Sequence, residues 1–393
     1  MSNIKEIYLD NSATTKICDE ALEKYIETSR LVYGNPSSLH GMGLLAEKEL
    51  KKAKEAVLSS IGERDSAVVF TASGSEANNL AIFGRAFAKE RYKKGAKIIT
   101  TDGEHASVAL PLEKLTESGF RIVKIPTRDG KLDMAVLNSE LTPDVILATF
   151  MMVNNETGAL YDISTAAKMI HSSCPEALVH VDATQSYMKI KFTKKALMAD
   201  MITLSSHKIE GPKGVGALVI DSKIIKSNGL SPIIFGGGQE SGLRSGTENV
   251  PAIAAFGTAV TIGAANIENN FAALSALREY LIEKIESTPA LSEISITNPT
   301  SHAPHILNLT LPGIRSETAL HFLSSLGIYV SSGSACSSNS SHLSSALTAY
   351  GKTSEEADSS IRISFSHRNE KEDVDALCDA LCSVISRLAR KKR

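Results

Sequence analysis

The chain has no tryptophan and only five cysteines in 393 residues. Cys18, Cys174, Cys336, Cys378 and Cys382 are too few and too scattered for a disulfide framework, and no C-x-x-C pair occurs. Cys378 and Cys382 stand four apart in an apolar helical pattern, where small buried residues explain them better than a metal would, so no metal is expected. An excess of one charge is also missing: 42 Lys and Arg face 44 Asp and Glu, for a net charge of −2. That balance argues against DNA or an acidic membrane surface as the main partner. No apolar run approaches the roughly 20 residues a membrane helix needs. The opening Met1-Ser2-Asn3-Ile4-Lys5-Glu6 has neither a signal-peptide core nor an Arg-rich transit pattern. A cytoplasmic protein without membrane contact is therefore expected.

Apolar residues make up 42% of the chain, enough for a sizeable core in one large domain with an appendage, or in two domains. Strand-like runs at 67–70, 97–100, 120–123, 145–148, 178–181, 200–204 and 215–219 alternate with helical patterns at 75–91, 107–118 and 163–172. Strands separated by helices predict a mostly parallel sheet covered on both faces. After Pro251 a long helical stretch runs to about Ser287, with an interruption expected near Asn266 to Asn270. The pattern then changes to strands at 305–311 and 361–364, helices at 316–326 and 371–390, and a short strand ending at Val330. This predicts a smaller α+β domain. The expected division is 15–262 for the large domain, and 1–14 with 263–393 for the small one.

Several polar residues fall at the predicted carboxyl ends of strands, where open α/β sheets bind ligands. Lys208, in Ser205-Ser206-His207-Lys208-Ile209-Glu210-Gly211-Pro212, follows a strand and leads into a Gly/Pro turn. A lysine so held can form a Schiff base with an aldehyde cofactor such as pyridoxal phosphate (PLP). Asp182 ends the run Leu178–Val181 and suits a pyridinium nitrogen, or equally a helix N-cap. Thr71-Ala72-Ser73-Gly74-Ser75-Glu76 joins a strand to a helix N-terminus, a place for a phosphate or for an ordinary serine cap. His105 follows another strand and is either a stacking, proton-moving imidazole or a solvated loop residue. Cys336, in Ser331-Ser332-Gly333-Ser334-Ala335-Cys336-Ser337-Ser338, is either a nucleophile on an arm with few apolar anchors or an incidental thiol. Arg362, inside Ile361-Arg362-Ile363-Ser364, needs an anionic partner if buried: a substrate carboxylate or a structural ion pair.

Together these segments resemble the cysteine desulfurases of the NifS/IscS type, within the class V aminotransferase family. The likeness starts at Tyr8-Leu9-Asp10-Asn11-Ser12-Ala13-Thr14-Thr15 and continues through Tyr33-Gly34-Asn35-Pro36-Ser37-Ser38-Leu39-His40. It takes in Val153-Asn154-Asn155-Glu156-Thr157-Gly158, Val181-Asp182-Ala183-Thr184-Gln185, Ser206-His207-Lys208 and Arg244-Ser245-Gly246-Thr247-Glu248-Asn249. The Ser-Ser-Gly-Ser-Ala-Cys segment is its most specific part and is similar to the group I cysteine loop.

The resemblance implies an aspartate aminotransferase-like fold, with a mixed, mostly parallel seven-stranded sheet and a smaller α+β domain. It implies that Lys208 carries PLP and moves the α-proton, that Asp182 pairs with the ring nitrogen and Gln185 with the phenolic oxygen, and that His105 stacks on the ring. Gly74, Ser75, Ser205 and His207 would hold the phosphate, with Thr247 doing so from the neighbouring subunit of a homodimer. Asn155 and Arg362 would bind the carboxylate of L-cysteine. Cys336 would take its sulfur as a persulfide, leaving alanine, for delivery to an acceptor protein in iron–sulfur assembly or thiolation. A selenocysteine lyase or related C–S lyase is the alternative. Two segments depart from the family pattern. Glu210 stands where an aromatic residue or histidine is frequent, and its carboxylate would alter the electrostatics of the Lys208 turn. Ser73-Gly74-Ser75 replaces Gly-Ala-Thr but keeps the hydroxyl.

Overall fold

A computed structural model describes residues 5–332 and 344–388. Its main sheet has seven strands, in the order Ser66–Thr71, Gly216–Asp221, Met201–Ser205, Leu178–Asp182, Val145–Met151, Lys97–Thr101, Arg121–Ile125. Gly216–Asp221 runs antiparallel to both neighbours, and the other strands share one direction. This is the mixed, mostly parallel sheet expected. Val145–Met151 is buried at every position, as a strand covered by helices on both faces must be. Alternate residues feed the two sides: Val68, Phe70, Ile99 and Val219 enter one apolar cluster, Val69, Ile98, Leu218 and Ile220 the other.

A second core lies around an antiparallel sheet ordered Ser331–Ser332, Ser360–Ser364, Ile306–Thr310, Ser295–Thr297. Leu307, Leu309, Ile361, Ile363 and Phe365 meet Leu377 and Leu381 of the helix Lys371–Leu388 there. Ile7–Tyr8 pairs in parallel with Ile328–Tyr329, and Ile7 and Leu9 pack into this second core.

The helix Val250–Ser287 serves both cores, with Ala252 to Val260 in the first and Leu274 to Ile285 in the second. It is unbroken, which corrects the expected interruption at Asn266 to Asn270. Asparagine costs a helix only tenths of a kcal/mol (about 0.7 at most), and that stretch holds neither Pro nor Gly. Asn266 Nδ2 also donates to Ile262 O at 3.0 Å, and Glu268 pairs with Lys191 at 2.6 Å. The same helix overturns the reading that no apolar run approaches membrane length. By length and composition it is long and apolar enough to cross a bilayer, because Ala, Gly and Thr extend its uncharged stretch. Its apolar face is spent on packing: a Cβ on Gly257 would stand 2.9 Å from Ala53 Cα of the helix Gly41–Ser60. The helix expected over 75–91 spans Gly74–Ala86 and is followed by a separate 3-10 turn at Glu90–Lys93.

Candidate active site

The parallel strands end together, and a cavity of about 210 Å³ opens at their carboxyl edge. Gly74, Ser75, His105, Asn155, Asp182, Gln185, Ser205, His207 and Lys208 all line it. Gly216 opens the strand that runs back between Met201–Ser205 and Ser66–Thr71. This glycine pairs with both Ser205 and Thr71, and a Cβ on it would stand 2.5 Å from Ser73 C. Only glycine lets the strand approach the N-terminus of the Gly74–Ala86 helix so closely.

Asp182 is buried at the last position of its strand. One carboxylate oxygen accepts from Thr184 N at 2.9 Å, a local turn bond, and the other from Asn78 Nδ2 at 2.8 Å. Ser73 Oγ caps its helix by accepting from Glu76 N at 3.1 Å, so the serine cap and the cavity-lining Ser75 coexist. His105 caps the helix Ala106–Glu117, its Nδ1 accepting from Ser107 N at 3.1 Å. That bond puts the proton of the neutral ring on Nε2. Burial lowers the His105 pKa, Asp182 opposes the shift, and Lys208 and Arg362 add to it. Burial and then Lys208 and Lys213 push His207 down to about 4.

Lys208 follows Met201–Ser205 in the 3-10 turn Ser206–Lys208. Its Nζ donates to the carbonyls of Ser12 and of Ala13, the latter at 2.8 Å. Gln185 Nε2 donates to the same Ser12 carbonyl at 3.0 Å. The Asn11–Thr15 segment is pinned in turn, with Ser12 N donating to Ser364 Oγ at 2.8 Å and Thr15 Oγ1 to His207 O at 2.8 Å.

Arg362 stands just outside the lining. Its Nη1 donates to Asn155 O at 2.8 Å and its Nη2 to Asp10 Oδ1 at 2.9 Å, while Nε is buried with no partner among the described residues. The structural ion pair is therefore present. Thr247 is exposed and does not line the cavity of its own chain. Cys336 lies outside the described residues. Glu210 points away from the cavity. It has φ 63°, accepts from Arg368 Nη2 at 2.8 Å, and lies 3.3 Å from His367 Nδ1.

Two residues escaped the sequence reading. Asn78, one turn into its helix, orients Asp182 and leaves its own Oδ1 buried without a partner among the described residues. Glu104, just before His105, is wholly buried. It accepts from Met151 N at 3.0 Å and Thr101 Oγ1 at 2.7 Å. The only sequence signal was a charged Glu-His pair at a strand end.

Burial raises the Glu104 carboxyl to about 8, against those hydrogen bonds and with help from Asp182 and Asp102. A carboxyl with a folded pKa above its unfolded value binds a proton on folding between the two. Its stabilising share is full at low pH and is lost as pH rises from about 4.5 to about 8. Glu104→Gln should remove that slope. In urea titrations at pH 5 and pH 8, the variant should gain on the wild type at pH 8 by a few kcal/mol, because each tenfold change in proton affinity is worth about 1.4 kcal/mol. Parallel stability profiles for the two proteins would contradict it.

Residues 7–377 match the class-V aminotransferase family model. The chain is 36% identical over 391 residues to a NifS/IcsS protein homolog of Lactobacillus delbrueckii subsp. bulgaricus, covering 98% of each. It is 35% identical over 386 residues to the cysteine desulfurase IscS of Dictyoglomus turgidum, covering 98% of this chain and 95% of that one. Among solved structures, a NifS-like protein superimposes with a TM-score of 0.90 at 33% identity, over 98% of this chain and 100% of its own.

Proposed function

Because the chain belongs to the class-V aminotransferases, and within them to the NifS/IscS cysteine desulfurase family, we propose that it takes sulfur from L-cysteine and leaves L-alanine. One observation carries the reading: the Lys208 amine, the Asp182 carboxylate and the His105 imidazole line one cavity at the carboxyl edge of the sheet.

The residues present fit PLP in kind. Lys208 offers the amine for a Schiff base, and Asp182, held by Asn78 and Thr184, offers a fixed carboxylate to a ring nitrogen. The first N–H groups of the Gly74–Ala86 helix, with Ser75, Ser205 and His207, offer a phosphate cradle. When bound, this cofactor supplies an electron sink for the carbanion that forms at the substrate α-carbon.

The rest is the work of the chain. Lys208 takes the α-proton and returns it. His105 is held neutral, so it adds no charge against the ring. Asn155 and Arg362 receive the substrate carboxylate. Cys336 thiolate attacks the substrate sulfur: the carbon–sulfur bond breaks, a sulfur–sulfur bond forms, and the electron pair left on carbon is protonated to give alanine. Cysteine plus thiol gives alanine plus persulfide, so no outside oxidant or reductant is needed. The persulfide then passes to an acceptor protein in the cytoplasm. The protein works as a homodimer in which Thr247 completes the partner's phosphate site. Residues 1–14 and 263–393 form the unit that carries Cys336.

Mixing holoenzyme with L-cysteine and no acceptor should yield alanine and protein-bound sulfane sulfur in equal amounts during the first turnover. Pyruvate with free sulfide in place of alanine, or alanine with sulfane sulfur released to solution and none bound to the protein from the outset, would overturn the reading, either result favouring a lyase.

A further inference from the structure

A second cavity, of about 290 Å³, lies behind the Lys208 turn and shares no lining residue with the first. Its walls are Ile209 and Glu210 from that turn, Cys18, and one face of the long helix around Gly263. Lys189 also lines it, at only 7% exposure. The Lys189 ammonium has no hydrogen-bond or ion-pair partner among the described residues.

An ammonium so little exposed and without a partner is unfavourable. Glu210 is the acid that opposes the effect of burial on Lys189, yet its carboxylate is already committed. One oxygen accepts from Arg368 Nε at 3.2 Å and Nη2 at 2.8 Å, and the other faces His367 Nδ1 at 3.3 Å. Two cations, Lys189 and Arg368, thus share one buried carboxylate. Glu20, the other lining carboxylate, is exposed at the mouth and pairs with neither cation. His367 is held toward its neutral form by burial, so it does not balance the acid in their place.

We propose that this cavity binds a compact oxyanion, a carboxylate or a phosphate, between Lys189 and Arg368. Such a ligand supplies the counter-charge that Lys189 lacks and can form charge-assisted hydrogen bonds with the guanidinium. It would sit against Ile209 and Glu210, the two residues after Lys208, and compete with Glu210 for Arg368. Occupancy is thereby linked to the seating of the catalytic turn. The site goes beyond the sulfur-transfer reading and does not depend on it.

The test is isothermal titration of the holoenzyme, without cysteine, with inorganic phosphate and separately with succinate. Sodium chloride at equal ionic strength serves as the blank. With cofactor bound, its own phosphate cradle is filled and cannot account for uptake. At least one probe should bind saturably, one per chain, and the stronger of the two identifies the ligand class. Lys189→Met and Arg368→Gln should each weaken that binding by at least about tenfold. Arg368 is partly exposed, at 39% of its side chain, so Arg368→Gln decides the matter even if Lys189→Met does not fold. No saturable binding of either probe, or unchanged affinity in Arg368→Gln, removes the site.

Discussion

Alanine at position 208 lowers turnover of L-cysteine by at least about a thousandfold, within the range of a lost acid–base group, and removes the visible absorbance of lysine-bound PLP. The geometry accounts for both effects. The Lys208 amine is held at the cavity by the Ser12 and Ala13 carbonyls. Among the described residues no other lysine lines that cavity. Lys189, though buried, opens on a different one. Removing the amine therefore leaves no second nucleophile for the aldehyde and no second base for the α-proton. Folding should be little affected, because the two carbonyls face a cavity that water can enter. Lys208→Arg is the sharper control: it keeps charge and donors but cannot form the Schiff base, so it should be as inactive as the alanine variant. Turnover within tenfold of wild type in either variant, with the fold intact by circular dichroism, would take Lys208 out of the mechanism.

How much of this was readable from the residues depends on range. The inner strands of the main sheet were legible because they are buried on both faces and appear as short apolar runs, Val145–Met151 most plainly. Lys208, Asp182 and His105 were legible as polar residues at strand ends, though each had an equally good local explanation. The structure shows why: Asp182 makes a turn bond, Ser73 caps a helix and Arg362 makes an ion pair, while their neighbourhood also forms the cavity. The helices Asp19–Leu31 and Gly41–Ser60 were passed over, although Ala46, Leu50, Ala53 and Val57 are buried at helical spacing. Asn78 and Glu104 were not legible. Their importance comes from contacts with Asp182 and Met151, which are 104 and 47 residues away. Glu210 was noticed as a departure, but nothing in the sequence said which side of its turn the carboxylate faces. A left-handed backbone sends its carboxylate to Arg368 instead of toward the cofactor.

Serine at position 336 leaves the cofactor absorbance in place and abolishes protein-bound sulfur, cutting sulfide release under reductant by at least about a hundredfold, because a hydroxyl is a far weaker nucleophile than a thiolate. Cys336 itself lies outside the described residues, but both flanks of its segment are fixed. Ser331 pairs with Arg362 across the small sheet. On the far side Ser344 Oγ donates to Glu156 Oε2 at 2.6 Å and accepts from Leu347 N at 3.1 Å. Glu156 adjoins Asn155, whose carbonyl is held by Arg362. The described flanks, Ser331 and Ser344, therefore stand beside the two residues assigned to the substrate carboxylate. Among the described residues no thiol is placed to take over. Cys18 and Cys174 are buried and kept protonated by that burial, and Cys378 is pushed up to about 11. Cys382 packs against the small core and lines neither the substrate cavity nor its rim. The readout is cyanolysis of the isolated protein after one turnover, together with methylene-blue assay of sulfide. Bound sulfur at wild-type levels in Cys336→Ser would move the acceptor role to another residue. Alanine formed without bound sulfur would mean that carbon–sulfur cleavage does not need the thiol.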